Sequence, residues 1–355
     1  MPGVEGGIVF PVEKLREFTV ATFEQVGVSP EDAALVADSL IEANLRGVDT
    51  HGITRMLCTY IKRLQVGVMS PKTNWAMVRE NKSTALIDAK NSLGQVVAAK
   101  AMRLAIDKAK DTGIGFTAVT HANHYGAAAY YTMMALEHNM IGFSATNAAA
   151  GVAPWGSCQP MLGTNPLSYA LPAGEEKPVV LDMATTVVAR GRVLLYAKQG
   201  IPLEPGWALD ERGVPTLDPK VALKGLLAPI GGYKGYGLAL IVDLLCGVMT
   251  GANYGTHFPG FLADNLKDPT DLGSVFMAID VGSFMDTAEF KARIDQAVRE
   301  IKSSPLAAGS KRVYIPGEIE FETKDERLRH GIPVPEQVVK DFVALGKELG
   351  VPFPL

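Results

Sequence analysis

The sequence predicts an α/β core flanked at both ends by helical segments. In the middle of the chain, short apolar, β-branched runs alternate with longer helical stretches, as they do in α/β proteins. The first and last parts show helical periodicity alone. The length of 355 residues exceeds what one hydrophobic core usually supports. We therefore expect segments 1–75 and 285–355 to pack together beside a central domain at 76–284.

The first stretch of the chain is predicted to be helical, because its apolar residues recur on one face. The second helix has the clearest start: Ser29 suits an N-cap and Pro30 suits the first helical position. We expect this helix to run to about Asn44. Segment 46–55 follows it and leads into a further helix through Leu64.

Strands and helices alternate through the central domain. Apolar, β-branched runs predict strands at 84–88, 114–120, 141–146, 179–181 and 275–279. Helical periodicity predicts helices at 95–111, 127–138 and 186–199, and a further helix to Met249 after the glycine-rich run 231–237. The turn 210–215 is predicted to form an exposed hairpin. Towards the C-terminus we predict helices at 288–302 and 335–349, with a loop at 313–318 between them.

Charge and composition indicate a cytoplasmic protein without nucleic-acid or membrane partners. The net charge is −4 and no basic run is present, which argues against nucleic acid. The apolar run 238–249 is interrupted by Asp243 and is too short to span a bilayer. Residues 1–7 do not resemble a signal peptide. The three cysteines lack a paired spacing, so we expect them to be reduced and to bind no metal.

The segment Thr50-His51-Gly52-Ile53-Thr54-Arg55 lies where one predicted helix ends and the next begins. If the segment is helical, His51 and Arg55 share a face because they are four residues apart. The Arg55 guanidinium can hold a carboxylate through two parallel hydrogen bonds, and Thr50 and His51 add groups that orient it. The segment therefore predicts a carboxylate site. The alternative is a capped helix start with solvated polar side chains.

Two histidines follow the predicted strand 114–120, in Thr120-His121-Ala122-Asn123-His124. Ligands of open α/β sheets bind at the carboxyl ends of strands, where a histidine can exchange a proton near neutral pH. We interpret His124 as the candidate acid–base residue and His121 as a structural residue. The alternative is a metal site that both histidines share, for which no third ligand is obvious.

Two further segments have the chemistry of a dinucleotide site. Lys234 lies in the glycine-rich run before a helix, where a lysine and free backbone N–H groups suit a pyrophosphate. This run matches neither G-x-G-x-x-G nor the P-loop pattern, so a plain glycine-rich turn is the alternative. Asp182 lies between a predicted strand and a helix, where it can hydrogen-bond a ribose or a histidine, or cap the helix.

Together these segments resemble the type-2 malate/L-lactate dehydrogenase family, which includes ureidoglycolate, sulfolactate and diketogulonate oxidoreductases and cyclic ketimine reductases. The resemblance extends from near residue 12 to near residue 320. The motifs that carry it are Arg46-Gly47-Val48-Asp49-Thr50-His51-Gly52, Asn123-His124-Tyr125-Gly126-Ala127-Ala128, Ala153-Pro154-Trp155-Gly156, Gly163-Thr164-Asn165-Pro166, Asp182-Met183-Ala184-Thr185-Thr186, Lys234-Gly235-Tyr236-Gly237 and Tyr314-Ile315-Pro316-Gly317-Glu318.

The resemblance implies a family-specific NAD(P)-binding α/β fold that differs from the Rossmann fold and forms a homodimer. His124 matches the catalytic histidine of the family. Thr50, His51 and Arg55 match residues that line the substrate site. The residues that match cofactor contacts are Ala148, Asp182, Met183, Ala184, Lys234, Gly317 and Glu318.

The implied reaction moves a hydride between a nicotinamide cofactor and a small 2-hydroxy or 2-oxo acid of malate, lactate or sulfolactate type. The cofactor is NAD or NADP, with NAD slightly favoured. We expect Arg55 to bind the substrate carboxylate, and His124 to take the hydroxyl proton in oxidation and return it in reduction.

The run Asn147-Ala148-Ala149-Ala150 departs from the family, in which polar residues are common at these positions. It leaves Ala148 with only a backbone contact to the cofactor. It also makes this wall of the pocket small and apolar, which argues against a ureido substrate.

Three alternatives stay open. The first is a reductase of cyclic imines such as Δ1-piperideine-2-carboxylate, or a ureidoglycolate dehydrogenase. The second is a metal-dependent lyase or hydrolase that uses His121 and His124. The third is a dimeric binding protein without activity. The joint presence of His51, Arg55, His124 and Lys234 argues against this third class.

Overall fold

The computed structural model describes residues 7–259 and 265–354. The prediction that no signal peptide is present concerns residues 1–7, which lie outside the described chain except for residue 7. The first stretch contains β1 (Ile8–Phe10), α1 (Val12–Gln25), α2 (Pro30–Leu45) and α3 (Ile53–Gln65). The middle stretch contains β2 (Ala76–Glu80), β3 (Thr84–Asp88), α4 (Gly94–Thr112), β4 (Ile114–Ala122), α5 (Ala128–Met134), β5 (Met140–Thr146), β6 (Leu167–Leu171), β7 (Val179–Met183), α6 (Arg190–Gln199), β8 (Ala208–Leu209), β9 (Pro215–Thr216), α7 (Pro219–Lys224), β10 (Leu226–Leu227), α8 (Tyr233–Asp243) and β11 (Leu272–Asp280). The last stretch contains α9 (Thr287–Lys302), α10 (Glu318–His330), β12 (Ile332–Val334) and α11 (Glu336–Leu349).

The central sheet is mixed, and helices pack against it. Counted over the described residues, it has seven strands in the order β2-β3-β4-β11-β5-β6-β7. β3 and β4 are parallel, and the other neighbouring strands are antiparallel. The predicted α/β class is confirmed, and the sheet is not the mostly parallel sheet of a Rossmann fold. The strands are antiparallel from β5 to β7 because loops, and not crossover helices, connect them.

The strand register brings the carboxyl ends of several strands to the same side of the sheet. The first residue of β11 pairs with Ala122 at the end of β4, and Ser274 pairs with Thr146 at the end of β5. Leu167, where β6 begins, pairs with Met183 at the end of β7. The carboxyl ends of β4, β5 and β7 therefore lie on the same side of the sheet, although β11 and β6, which lie between them, run in the opposite direction. Five of the eleven predicted site residues lie at these strand ends or just after them: His124, Ala148, Asp182, Met183 and Ala184.

The two ends of the chain pack together through an aromatic core. Phe18 of α1 lies edge-on to Phe353, with ring centroids 4.9 Å apart, and 5.9 Å from Phe342 of α11. β1 and β12 form a short antiparallel pair at the same end of the molecule. The terminal segments are thus in contact, and the division of the chain into domains stays a prediction.

Several helix ends follow the local signals in the sequence. Ser29 accepts a hydrogen bond from the Asp32 N–H, which confirms the predicted start of α2. Gly113 ends α4 in the left-handed conformation, with φ 80°. α6 begins four residues later than predicted, because Thr186 forms a β-bridge with Pro229. Over the described residues, no helix is both long enough and apolar enough to cross a bilayer.

α10 is the longest of the described elements that the sequence does not predict. Its charged residues are distributed around the helix and only Arg327 is buried, so the apolar periodicity of a surface helix is missing. The predicted loop 313–318 ends at Gly317, which is the N-cap of α10. The prediction that Glu318 lies in a loop is therefore wrong, because Glu318 is the first residue of the helix.

Candidate active site

Segment 46–52 is a turn between α2 and α3. Gly52 is the N-cap of α3, so His51 lies before the helix and Arg55 lies in its first turn. The predicted helical pairing of His51 with Arg55 is therefore wrong, although the positive charge of Arg55 still contributes to the lowered pKa of His51. Thr50 Oγ1 lies 2.9 Å from His51 Nδ1, and this contact orients the imidazole.

His124 follows β4, on the side of the sheet where β4, β5 and β7 end. Its ring stacks on that of His51, with centroids 5.6 Å apart and planes inclined by 16°. Its Nδ1 atom lies 2.6 Å from Tyr60 Oη and 3.3 Å from the Gly126 nitrogen. α4 approaches closely because Gly94 has no side chain: a Cβ there would lie 2.4 Å from the His124 carbonyl oxygen. Residues of α3, the His51 turn and the β4–α5 loop thus meet around one imidazole.

Burial keeps both histidines of the site neutral. Withdrawal from water, together with the charges of His51 and Arg55, lowers the pKa of His124 to about 3. Withdrawal from water and the charge of Arg55 lower the pKa of His51 to about 4. At neutral pH the free site therefore presents two neutral imidazoles beside a guanidinium, and His124 is in the form that accepts a proton.

Arg55 is half-buried and its charge is unpaired. Within residues 7–259 and 265–354, no carboxylate or hydrogen-bond acceptor engages its guanidinium. α6 forms the facing wall: a Cβ on Gly191 would lie 2.5 Å from Arg55 Nη1 and 3.6 Å from Thr50 Cγ2. An unpaired guanidinium in such a place favours an anionic ligand, which is what the sequence predicts for Arg55.

α10 supports the turn 46–52 from behind. Arg327 donates two hydrogen bonds to the Asp49 carboxylate, at 2.6 and 3.0 Å, and one to the Asn44 carbonyl. The Asn44 amide donates to Asp49 Oδ1 at 2.6 Å and packs so closely on Gly52 that a Cβ there would overlap it. This network orients the start of α3, which carries the predicted carboxylate ligand.

Asp182 caps a helix, but not the one that follows it in the chain. Its carboxylate accepts the Ala129 N–H at 2.8 Å, in the first turn of α5. Desolvation by the surrounding protein raises the pKa of Asp182 to about 6. Arg46 opposes this shift. In the described chain Asp182 makes no hydrogen bond to a histidine, which was one of its predicted contacts.

Two of the predicted cofactor segments are neighbours. The Val180 N–H of β7 donates to the Pro316 carbonyl at 3.0 Å, which places the loop before α10 along the edge of the sheet. Gly317 permits this approach, since its φ is 89° and a Cβ there would lie 2.9 Å from the Val180 carbonyl oxygen. Gly317 therefore lies beside Val180 near the start of β7, the strand that ends with Asp182 and Met183 and is followed by Ala184.

Glu318 has partners within the protein. Its carboxylate binds the Lys302 ammonium and accepts the Ile315 N–H at 3.0 Å. Burial alone would raise the pKa of Glu318, but these two partners outweigh it and the pKa lies below its ordinary value. The charge of Glu318 is therefore paired with that of Lys302.

Lys234 is exposed in the first turn of α8. The N-cap of this helix is Gly232, so no side chain caps its first N–H groups. Trp155 packs against Gly232, and its ring lies 6.1 Å from that of Tyr233. The lysine and the uncapped N–H groups form a donor set that fits a pyrophosphate, as the sequence predicts.

Asn165 connects Ala148 to α8. Asn165 Oδ1 accepts the Ala148 N–H at 3.0 Å, while Nδ2 donates to the Ala239 carbonyl at 2.8 Å and to Asp243 at 3.2 Å. The Ala148 N–H is therefore engaged within the protein. A backbone contact from Ala148 to the cofactor is limited to its carbonyl group.

His121 pairs with Asp88. Its Nδ1 lies 3.1 Å from Asp88 Oδ1, and 52% of its side chain is exposed. Over the part of the chain that the structure describes, no group of three histidine, cysteine or carboxylate side chains could hold a metal ion. The structure thus offers no ligand set for the metal-dependent alternative that uses His121 and His124.

Of three residues that sequence reasoning gave no role in this site, Tyr60 and Gly191 do not stand out in the sequence. Tyr60 occupies a buried helix position where an aromatic residue indicates core packing. Gly191 has no turn or motif around it that signals contact with Arg55. Asn165 has a signal, because a buried amide within Gly163-Thr164-Asn165-Pro166 needs hydrogen-bond partners.

Comparisons with known proteins cover nearly the whole chain. The sequence profile of the malate/L-lactate dehydrogenase family matches residues 10–343. A malate dehydrogenase of Pyrococcus horikoshii is 40% identical over 363 residues, which cover 98% of this chain and 97% of that protein.

Solved structures agree with this match. The sulfolactate dehydrogenase of Methanocaldococcus jannaschii is 38% identical with a TM-score of 0.91, and covers 98% of both chains. The malate dehydrogenase of Entamoeba histolytica is 33% identical with a TM-score of 0.93, over 98% of this chain and 100% of that chain. Relatives whose names specify NAD(+) and NADP(+) are both among the matches.

Proposed function

Because the chain belongs to the malate/L-lactate dehydrogenase family, we infer that it transfers a hydride between NAD(P) and C2 of a small 2-hydroxy or 2-oxo acid. The predicted family, the oxidoreductase class and the cofactor class, NAD or NADP, are confirmed. The acid itself is a proposal: malate and sulfolactate types are favoured, since several similar relatives carry these names.

The observation that carries this proposal is the unpaired Arg55 guanidinium beside the neutral His124. Arg55 binds the substrate carboxylate. In oxidation, neutral His124 removes the hydroxyl proton as the hydride leaves C2. In reduction, His124 returns a proton to the carbonyl oxygen.

Substrate binding also prepares His124 for reduction. The positive charge of Arg55 contributes to the lowered pKa of His124. A carboxylate on Arg55 neutralises that charge, so it raises the pKa of His124 towards the range in which the imidazole can donate a proton. The same arginine thus binds the substrate and adjusts the acid.

The residues at the sheet edge fit a dinucleotide. Bound NAD(P) supplies the hydride acceptor or donor. Lys234 and the uncapped start of α8 are placed to bind its pyrophosphate. Asp182, Met183, Ala184 and Gly317 are proposed to line the rest of the cofactor site, where β7 and the loop before α10 lie together.

A cofactor-oxidation screen tests the proposed substrate. Oxaloacetate, sulfopyruvate, pyruvate and 2-oxoglutarate are assayed with NADH and with NADPH. We expect oxaloacetate or sulfopyruvate to give the highest kcat/KM. A parallel set with added amine detects an imine reductase, and a set with EDTA detects a metal requirement. Turnover that needs the amine or a metal would overturn the proposed reaction.

His124→Asn is the variant that tests the proposed acid–base residue. Its turnover should fall by about 10² to 10⁴, because proton transfer is lost. Its affinity for NADH, measured by fluorescence, should match that of the wild type. Wild-type turnover in this variant would remove His124 from the mechanism.

We also propose a homodimer in a reducing compartment. Leu238, Ile241, Leu244 and Val248 form an exposed apolar strip on α8 and the π-helical turn that continues it. Such a strip supports a subunit interface. The three free cysteines support a cytoplasmic location.

Ile241→Glu tests this interface. Ile241 is 56% exposed in the single chain, so a carboxylate there leaves the fold intact but opposes burial against a second copy. We expect sedimentation to show a dimer for the wild type and a monomer for the variant. Lys291→Glu on α9, outside the strip, is the control and should stay dimeric. A dimeric Ile241→Glu would place the interface elsewhere.

A further inference from the structure

Tyr60 is in direct contact with His124, and the proposed mechanism assigns it no role. It is fully buried on α3, and its hydroxyl oxygen lies 2.6 Å from His124 Nδ1. Burial raises its pKa well above the ordinary value, so the hydroxyl stays protonated. Nδ1 is thus turned towards the protein, and Nε2 is the nitrogen on the substrate side of the reaction.

Proton acceptance at Nε2 requires that Nδ1 carry the hydrogen of the neutral ring. Two groups compete for Nδ1. The Gly126 N–H, at 3.3 Å, can only donate, so it favours the tautomer with the hydrogen on Nε2, which cannot act as a base there. The Tyr60 hydroxyl can donate to Nδ1 or accept from Nδ1–H, and it favours the active tautomer when it accepts. The direction of the short Tyr60 contact therefore decides the balance.

For its oxygen to accept from Nδ1–H, the Tyr60 hydroxyl must point its own hydrogen away from Nδ1, and a second acceptor would hold it there. Gln95 of α4 is fully buried, and its amide lies near the Tyr60 hydroxyl, where as a donor it lowers the pKa of Tyr60 against the larger effect of burial. Yet neither the oxygen nor the nitrogen of its amide completes a hydrogen bond with good geometry among the described residues. A buried amide in this condition calls for a partner, and rotation of the amide can turn its oxygen to the Tyr60 hydroxyl.

We propose that Tyr60, oriented by Gln95, is a positioning residue that keeps the hydrogen of neutral His124 on Nδ1. The chain of donors runs from Nδ1–H to the Tyr60 oxygen, and from the Tyr60 hydroxyl to the Gln95 carbonyl. The imidazolium formed in turnover uses the same bond, so the ring keeps its orientation in both protonation states. This inference rests on the proposed acid–base role of His124.

The test reads the tautomer directly. The free enzyme is labelled with ¹⁵N-histidine, and the His124 signals among the six histidines are assigned by their loss in His124→Asn. In the wild type, Nδ1 should show the protonated shift and Nε2 the unprotonated one. Tyr60→Phe should exchange the two, because the Tyr60 acceptor is lost while the Gly126 donor remains at Nδ1.

Kinetics provide the second readout. Tyr60→Phe should lower kcat about tenfold in both directions, as expected for one lost hydrogen bond, with KM changed less than about twofold. Gln95→Leu should reproduce this effect, whereas Gln95→Glu, which keeps an acceptor oxygen, should restore most of the activity. Tyr130→Phe is the control, since it loses a tyrosine hydroxyl bond to Asp38 and should match the wild type.

The outcomes separate the two proposals. Wild-type turnover in His124→Asn would overturn the proposed function. An inactive His124→Asn combined with an unchanged tautomer in Tyr60→Phe would overturn this inference alone. If Tyr60→Phe does not fold, Gln95→Leu decides: an unchanged tautomer and kcat in that variant would also overturn it.

Discussion

At the scale of the residue, the site depends on Arg55 and His124, whose surroundings disfavour the charged forms of both side chains. Arg55 has no anionic partner in the described chain, and His124 is held neutral beside it. Both conditions cost stability in the free protein and are relieved when a carboxylate binds. Substrate affinity therefore depends on the position of one guanidinium.

Gly191→Ala tests that position. The added Cβ would lie 2.5 Å from Arg55 Nη1, so the flexible end of the arginine must move. We expect KM for the oxo acid to rise about tenfold or more, because a small displacement of a binding group is costly. The thermal midpoint should be unchanged or higher, since alanine suits a helix better than glycine. An unchanged KM would show that Arg55 does not bind substrate in this position.

Sequence reasoning finds residues whose chemistry is unusual for their place. His124 and Arg55 are polar groups at predicted junctions between elements, which is where ligands bind. Tyr60 and Gly191 are ordinary residues in helices, and their roles come from contacts with residues about 64 and 136 positions away. No local pattern contains such contacts.

At the scale of the element, α10 shows that a helix can be required without a hydrophobic face. Its buried residue is Arg327, which ties Asp49 and Asn44 to the C-terminal part of the chain. Apolar periodicity cannot detect a helix of this kind, and the sequence accordingly predicts a loop before it and no helix.

Arg327→Gln should destabilise the protein by about 2 kcal/mol, because it leaves the partly buried Asp49 carboxylate without its charged partner. The free energy of unfolding in urea measures this loss. Arg312→Gln is the matched control: Arg312 also binds a carboxylate through two nitrogens, that of Glu322, but both side chains are about half exposed. Its loss should cost less than about 1 kcal/mol. Equal effects would contradict the supporting role of α10.

At the scale of the whole molecule, the neutral histidines connect the site to the pH dependence of folding. The pKa of His124 is 6.5 in the unfolded chain and about 3 in the folded one. Between these values the unfolded chain binds a proton that the folded chain does not, so stability is lost as the pH falls through this window.

His124→Asn removes this contribution. The difference in thermal midpoint between the variant and the wild type should therefore shift in favour of the variant from about pH 7 to about pH 4. Scanning calorimetry of the free protein measures both midpoints at each pH. A difference that does not change with pH would mean that His124 is not held neutral by the fold.

The overall class is predictable because strands and helices have distinct periodicities, but the pairing of strands is not. The runs that predict 114–120, 141–146 and 275–279 as strands are confirmed. Nothing in these runs indicates that β11 lies between β4 and β5, since that order depends on which edges are left open after the other elements pack.

Because β11 lies between β4 and β5, the central sheet cannot be completed until β11 has been synthesised. β4 and β5 emerge from the ribosome with their facing edges unpaired, and they stay so until residues up to Asp280 have been made. The part of the sheet that carries the active site therefore cannot be completed before β11 has been synthesised. Until then, the unpaired sides of β4 and β5 are open to pairing with other chains. Contacts this distant in sequence also slow refolding. A nascent chain that stops before β11 would have a catalytic histidine but no completed sheet to hold it.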